Sequence, residues 1–119
     1  MPVLYRKAST ASVTGTIEKA IDYIGKNIAL HITIDDICAV VNISRYHFCR
    51  QFKKYTGMTV MKYILKTRIV LAKKELERTM LPITEISERL GFSSVSYFSR
   101  VFKEEEHMSP FQYRKRKEH

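Results

Sequence analysis

Two stretches of this chain say nearly the same thing. Ile34, Ile37, Asn42, Ile43 and Ser44 return as Ile83, Ile86, Gly91, Phe92 and Ser93, 49 residues on. Phe48, Arg50, Phe52, Lys53, Met58, Thr59 and Tyr63 return as Phe98, Arg100, Phe102, Lys103, Met108, Ser109 and Tyr113, 50 residues on. One residue is therefore inserted in the turn or helix start near Ser94. A repeat constrains a fold more than any local pattern, because the same supersecondary unit has to be built twice. Each copy reads as a helix, a short turn and a second helix. Two copies are too few for a solenoid, and a helix-turn-helix pair fits better.

Periodicity around the repeat completes an all-α reading. Ile17, Ala20, Ile21, Ile24 and Ile28 fall on one helical face and predict a first helix over about 16–29. Thr33 with Asp36 three residues on forms a capping box, and Asn42 suits the left-handed residue that closes the second helix. Ser44 caps a third helix, which ends at Gly57. Thr59 caps a long fourth, whose stripe Met61, Ile64, Leu65, Ile69, Ala72 and Leu76 runs to about Thr79. Pro82 suits the first turn of a fifth helix, with Gly91 as its stop. Ser93 begins the sixth, and Ser109-Pro110-Phe111-Gln112 starts a seventh. About seven helices and no strand are expected.

The chain has 119 residues, 45% of them hydrophobic, with 4 Gly and 3 Pro. That is enough for a core and favours helices over a turn-rich β fold. Two halves of this size bury little surface alone, so they are expected to lean on each other or to share an element. The expected organisation is a flexible arm over 1–15, a first helix-turn-helix subdomain over 16–58, a linker helix over 59–79, and a second subdomain with a basic tail over 80–119. At 1.5 Å per residue the linker is a rod of about 30 Å. Successive major grooves on one face of a duplex lie about 34 Å apart.

Charge is placed unevenly. The net charge is +9, but residues 1–44 are neutral, with four charges of each sign. Residues 45–78 hold ten Lys/Arg against Glu75 and Glu77; residues 79–111 are slightly acidic, and 112–119 are basic again. A basic stretch on a small protein points to a polyanion. It also predicts that the first motif, with the linker, supplies most of the affinity.

In a helix-turn-helix pair the second helix enters the major groove, so its inner face is apolar and its outer face polar or basic. Phe48 and Phe52 take the inner face, leaving Arg45, Tyr46, Cys49 and Arg50 mostly outside. In the second copy Val95, Ser96, Ser99 and Arg100 take the matching places. Arginine can bond bidentately to guanine O6 and N7, and Tyr46 can pack on a thymine methyl. Backbone phosphate contacts are expected from Ser44, Lys53, Lys54, Lys62, Lys66, Arg68, Lys73 and Lys74, and from Ser93, Lys103 and Arg114. The bland alternative is that Arg50 and Arg100 pair with nearby acids. Glu104, Glu105 and Glu106 stand where the first copy has Lys54 and Tyr55. They face away from phosphate, or they form an acidic edge for a protein partner.

Other chemistries lack their residues. Cys38 and Cys49 have no CxxC spacing and read as two reduced thiols. The four histidines are scattered, and no paired carboxylates, Ser/His/Asp set or phosphate-binding glycine loop stands out. Neither an enzyme nor a metal or cofactor site is expected. The aromatics sit at core spacing and form no exposed stacking platform for RNA. No run of about 18 apolar residues predicts a membrane span, and the first 15 residues lack the apolar core of a secretory signal.

The ordered set Arg68, Ala72, Leu76, Ile83, Ile86, Gly91-Phe92, Phe98, Arg100, Phe102-Lys103, Ser109-Pro110 and Tyr113-Arg114 resembles the AraC/XylS signature, over about residues 16–116. The chain is similar to the stand-alone type, with no small-molecule effector domain evident. The resemblance implies a bacterial, cytoplasmic regulator at the nucleoid. It implies monomeric binding to an asymmetric site on double-stranded promoter DNA and recruitment of RNA polymerase, usually for activation. It also implies that the family's base-reading positions fall on Arg45, Tyr46, Cys49 and Arg50, and on Val95, Ser96, Ser99 and Arg100. Ser87 stands where the family usually has Ala, His107 where it usually has Gly, and Cys49 where a longer polar side chain is common. The competing expectation is an interaction module that grips RNA polymerase or another regulator and touches DNA only loosely.

Overall fold

The computed structural model describes the backbone of residues 2–117 and the side chains of residues 14–116. Seven helices run in order: α1 (Pro2–Lys26), α2 (Ile34–Val41), α3 (Arg45–Thr56), α4 (Val60–Arg78), α5 (Ile83–Arg89), α6 (Val95–Glu106) and α7 (Pro110–Lys117). No strand occurs among the described residues.

The capping residues set most helix ends. The Thr33 hydroxyl accepts from Asp36 N at 3.0 Å while the Asp36 carboxylate accepts from Thr33 N at 3.1 Å, a complete capping box. Ser109 and Gln112 build the same box at the start of α7. Thr59 accepts from Lys62 N. Asn42 (φ 58°), Gly57 (φ 82°) and His107 (φ 64°) close α2, α3 and α6 in the left-handed region.

Four boundaries differ from those expected. The first helix begins at Pro2 and takes in the residues read as an arm. It shows no periodicity there, yet no proline or glycine lies between residues 3 and 14, so nothing breaks it. It stops at Lys26, before Ile28, and beyond it the carbonyls of Ile28 and Leu30 accept from Arg68. The cap of α6 is Ser94, which accepts from Tyr97 N at 3.0 Å. Ser93 is thus the residue inserted in the turn, and the α3 and α6 repeat is 50 residues throughout. Pro82 sits one place before α5, as its N-cap.

The chain divides into two units. The first holds α1, α2, α3 and the start of α4 up to Tyr63; the second holds residues 28–31 and everything from Ile64 on. In the first, α1 packs on α2 and α3. Ile17, Ala20 and Ile24 of α1, Ile37 of α2 and Phe48 and Phe52 of α3 are fully buried. In the second, Ile69, Ala72 and Leu76 of α4 share a core with Ile86, Phe92, Phe98, Phe102 and Tyr113. Residues 64–78 of the long helix thus belong to the second unit and supply part of its core. Across the turn between α5 and α6, the Ser87 hydroxyl donates to Ser94 O at 3.4 Å. That bond satisfies a buried polar atom where alanine would carry none.

Candidate nucleic-acid interface

In the first unit, Ser44 starts α3 and Gly57 ends it, so the helix runs for 12 residues with Phe48 and Phe52 pinned inside. The opposite face is then fixed by geometry. Arg45, Tyr46, Cys49, Arg50, Lys53 and Lys54 all line one open cleft of about 1150 Å³. Its floor is apolar, from Ile34, Val60 and Met61, and no carboxylate lines it. Six of the residues expected from sequence to touch a duplex are thereby brought together on one concave cationic surface.

Their side chains are not equally free. Arg45 pairs with Asp35 at 3.1 Å, in a site where both are mostly exposed and the pair is weak. Arg50 donates to the Tyr46 hydroxyl at 2.8 Å, and its guanidinium carbon lies 5.5 Å from the centre of the Tyr46 ring. Lys53 and Lys54 are exposed and have no ion-pair partner among the described residues. Cys38, behind α3, is buried; burial first and then Cys49 and Asp35 push its thiol above the ordinary value. Both cysteines are free thiols.

In the second unit Phe98 and Phe102 face inward and Ser96 and Arg100 outward, with Val95 and Ser99 half-buried. Arg100 lies 5.3 Å from the centre of the Tyr97 ring, which itself packs edge-on against Phe92. Arg50 and Arg100 therefore lie against tyrosine rings and have no acidic partner among the described residues. Sequence reasoning missed the role of Tyr97; the signal was a tyrosine three residues before the repeated arginine, as Tyr46 is four before the other.

Several expected phosphate contacts are placed elsewhere. Arg68 is only 9% exposed. Its Nε donates to Ile28 O at 3.1 Å and its Nη2 to Leu30 O at 2.9 Å, with Phe92 beneath at 5.8 Å. Burial lowers its pKa below the ordinary arginine value. Arg114 donates to Leu76 O, Thr79 O and Leu81 O, closing the carboxyl end of α4. Both arginines donate to backbone carbonyls at positions where phosphate contacts were expected. Lys66 pairs with Glu105 at 3.3 Å and Lys73 with Glu106 at 3.0 Å. Those pairs tie α6 to α4, so the acidic run is no continuous open edge; of its three carboxylates only Glu104 is exposed. Ser44, Lys62, Lys74, Ser93 and Lys103 lie at the surface. No group of three or more His, Cys, Asp or Glu able to hold a metal occurs among the described residues. No helix there is long and apolar enough to cross a membrane.

Residues 37–116 match the family model described as a helix-turn-helix domain. The crystal structure of a transcriptional regulator from Chromobacterium violaceum, of the AraC-type DNA-binding kind, superposes with a TM-score of 0.82 at 30% identity, over 90% of this chain and 96% of that one. The chain belongs to the AraC/XylS family. The chain spans only about a third of some relatives' length and nearly all of others'. The regulatory protein SoxS of Salmonella typhimurium is 35% identical over 84% of this chain and 94% of its own. The regulatory protein PocR of the same organism is 33% identical over 82% of this chain, which spans 32% of PocR. The DNA-binding domain of AdpA, solved in complex with a target DNA, shares the fold with a TM-score of 0.81 at 22% identity, over 84% of this chain and 90% of that one. This AraC-type chain is thus one of a family of DNA-binding transcription regulators.

Proposed function

We propose that the chain is a sequence-specific regulator of transcription that binds double-stranded promoter DNA as a monomer. In this reading α3 and α6 each enter a major groove, in two adjacent turns of one duplex. The observation that carries it is the single cationic cleft lined by Arg45, Tyr46, Cys49, Arg50, Lys53 and Lys54. The repeated arginine on the outer face of α6 supports the second contact. Two similar but unequal motifs on one chain need an asymmetric site, unlike the palindrome of a two-fold dimer. Base readers are Arg45, Tyr46, Cys49, Arg50, Val95, Ser96, Ser99 and Arg100. Phosphate contacts come from Ser44, Lys53, Lys54, Lys62, Lys74, Ser93 and Lys103, with Lys66 and Lys73 available only if they leave their carboxylates. The protein acts as an activator that recruits RNA polymerase in the bacterial cytoplasm, by binding and not by catalysis.

The interaction-module alternative drew on the acidic run 104–106, and two of those three carboxylates are held by lysines of α4. Selection from a random duplex library, with the pure protein at near-physiological salt, tests the proposal. An asymmetric site with two boxes about one helical turn apart supports it. Weak, uniform, salt-sensitive binding sinks it, because charge alone then grips the duplex. On the selected site Arg50→Ala should cost about 1–3 kcal/mol and relax preference at one position.

A further inference from the structure

Arg50 and Arg100 occupy the same place in their helices. Each lies six residues beyond its capping serine, Ser44 or Ser94. A bidentate contact to guanine needs the guanidinium fork in one plane and one direction. An exposed arginine at the end of a long stem has neither until something holds it. Here something does. Tyr46 holds Arg50 by a hydrogen bond of 2.8 Å and by its ring, and Tyr97 holds Arg100 by its ring alone.

The two brackets stand on opposite sides. Tyr46 precedes Arg50 by four residues, and Tyr97 precedes Arg100 by three. At about 100° per residue, the first tyrosine lies about 40° to one flank of its arginine and the second about 60° to the other. The supports also differ in stiffness. Tyr97 is half-buried and packs against Phe92, which belongs to the core. Tyr46 is 65% exposed and touches the edge of His47. Its hydroxyl supplies the extra tether that its looser ring needs.

We infer that Tyr46 and Tyr97 are positioning residues that steer the two repeated arginines to opposite flanks, so that equivalent arginines read different base pairs within their boxes. This rests on the reading of α3 and α6 as duplex-reading helices, and it adds what makes the two heads unequal. Tyr46 then contributes chiefly by ordering Arg50, ahead of any contact of its own with a thymine methyl. Holding the fork before binding removes the cost of ordering a flexible side chain on the duplex.

The test uses the full chain and its selected site, with every base pair of each box substituted in turn. Tyr46→Phe keeps the ring and removes only the oxygen that accepts from Arg50. It should weaken the selected site about 2- to 10-fold, as for loss of one hydrogen bond. Preference should relax at one base pair of the first box and nowhere in the second. Tyr97→Leu should relax one base pair of the second box only. The double variant Ser96→Tyr/Tyr97→Ser moves the second bracket to the first head's flank and should change which base is preferred in the second box. The melting temperature of Tyr46→Phe should stay as in the wild type, whereas replacing a merely structural tyrosine would lower it. Tyr55→Phe, an exposed tyrosine at the far end of α3, is the control. A wild type that selects a site whose base preferences ignore Tyr46→Phe overturns the inference and leaves the DNA reading intact. A wild type with no preferred site overturns both. Tyr97→Leu could fail by loosening the core, but Tyr46→Phe lies on the surface and decides the matter by itself.

Discussion

Tyr113 illustrates how far one side chain can be displaced from its ordinary chemistry. Burial, followed by its hydrogen bond to the Glu77 carboxylate, pushes its pKa up to about 12 from 10. The raised folded value means that the fold favours the neutral phenol. Its contribution is therefore fully present below pH 10 and is lost as the pH rises from 10 towards 12. Denaturant melts across that window should show a fall in stability that Tyr113→Phe removes; an equally steep fall in the variant would assign it to other groups. Gly91 is constrained twice over. Its φ is +80°, and a Cβ there would lie 2.9 Å from Ile28 O. Gly91→Ala should cost more than about 1 kcal/mol, since backbone must shift as well as strain. His107 carries a side chain in the same left-handed region where the first copy has Gly57. His107→Gly should raise stability by about 0.5–1 kcal/mol, measured by urea unfolding.

At the scale of elements, Ser94→Ala should cost about 1 kcal/mol, while Ser93→Ala should stay within about 0.5, since only Ser94 caps α6. Lys53→Ala should weaken binding to every duplex alike and lower the salt slope by about one. Arg114→Ala should leave that slope alone and lower stability instead, because its three acceptors are carbonyls at the end of α4. Those contrasts mark what the residues revealed in advance. Helix count, caps and inner faces were legible because each leaves a local trace: an apolar period, a hydroxyl, a glycine. The outer face of α3 was legible because Phe48 and Phe52 fix which side faces in. Arg68 was misplaced because its partners are carbonyls about 40 residues away, and a carbonyl leaves no mark in a sequence. Yet Ile64, Arg68, Ala72 and Leu76 are spaced by four, so a charge stood inside an apolar stripe. The ion pairs of Lys66 and Lys73 were not legible for a related reason. Their carboxylates lie on α6, and only folding brings Glu105 and Glu106 to them.

For the molecule as a whole, the charge count overstates the surface field. Of the ten basic residues in 45–78, Arg68 is buried, and Arg45, Lys66 and Lys73 face carboxylates. The first head keeps Arg50, Lys53 and Lys54 in its cleft. Neutralising Lys53 and Lys54 together should therefore lower the salt slope by about two, and Lys103→Ala by about one. Equal losses from the two heads would contradict a dominant first head. The clamp of Arg68 on residues 28–31 carries a lesson about modularity. A tandem repeat invites cutting the chain between its copies and treating each half as a spare part. The second half, cut at the start of α4, would leave behind the two carbonyls that its own buried guanidinium requires. Its portable form must bring along residues 28–31, the short piece just before α2. The repeat thus gives two helix-turn-helix motifs but not two independent modules, and recombination between relatives should succeed only at seams that keep this early segment with the later copy.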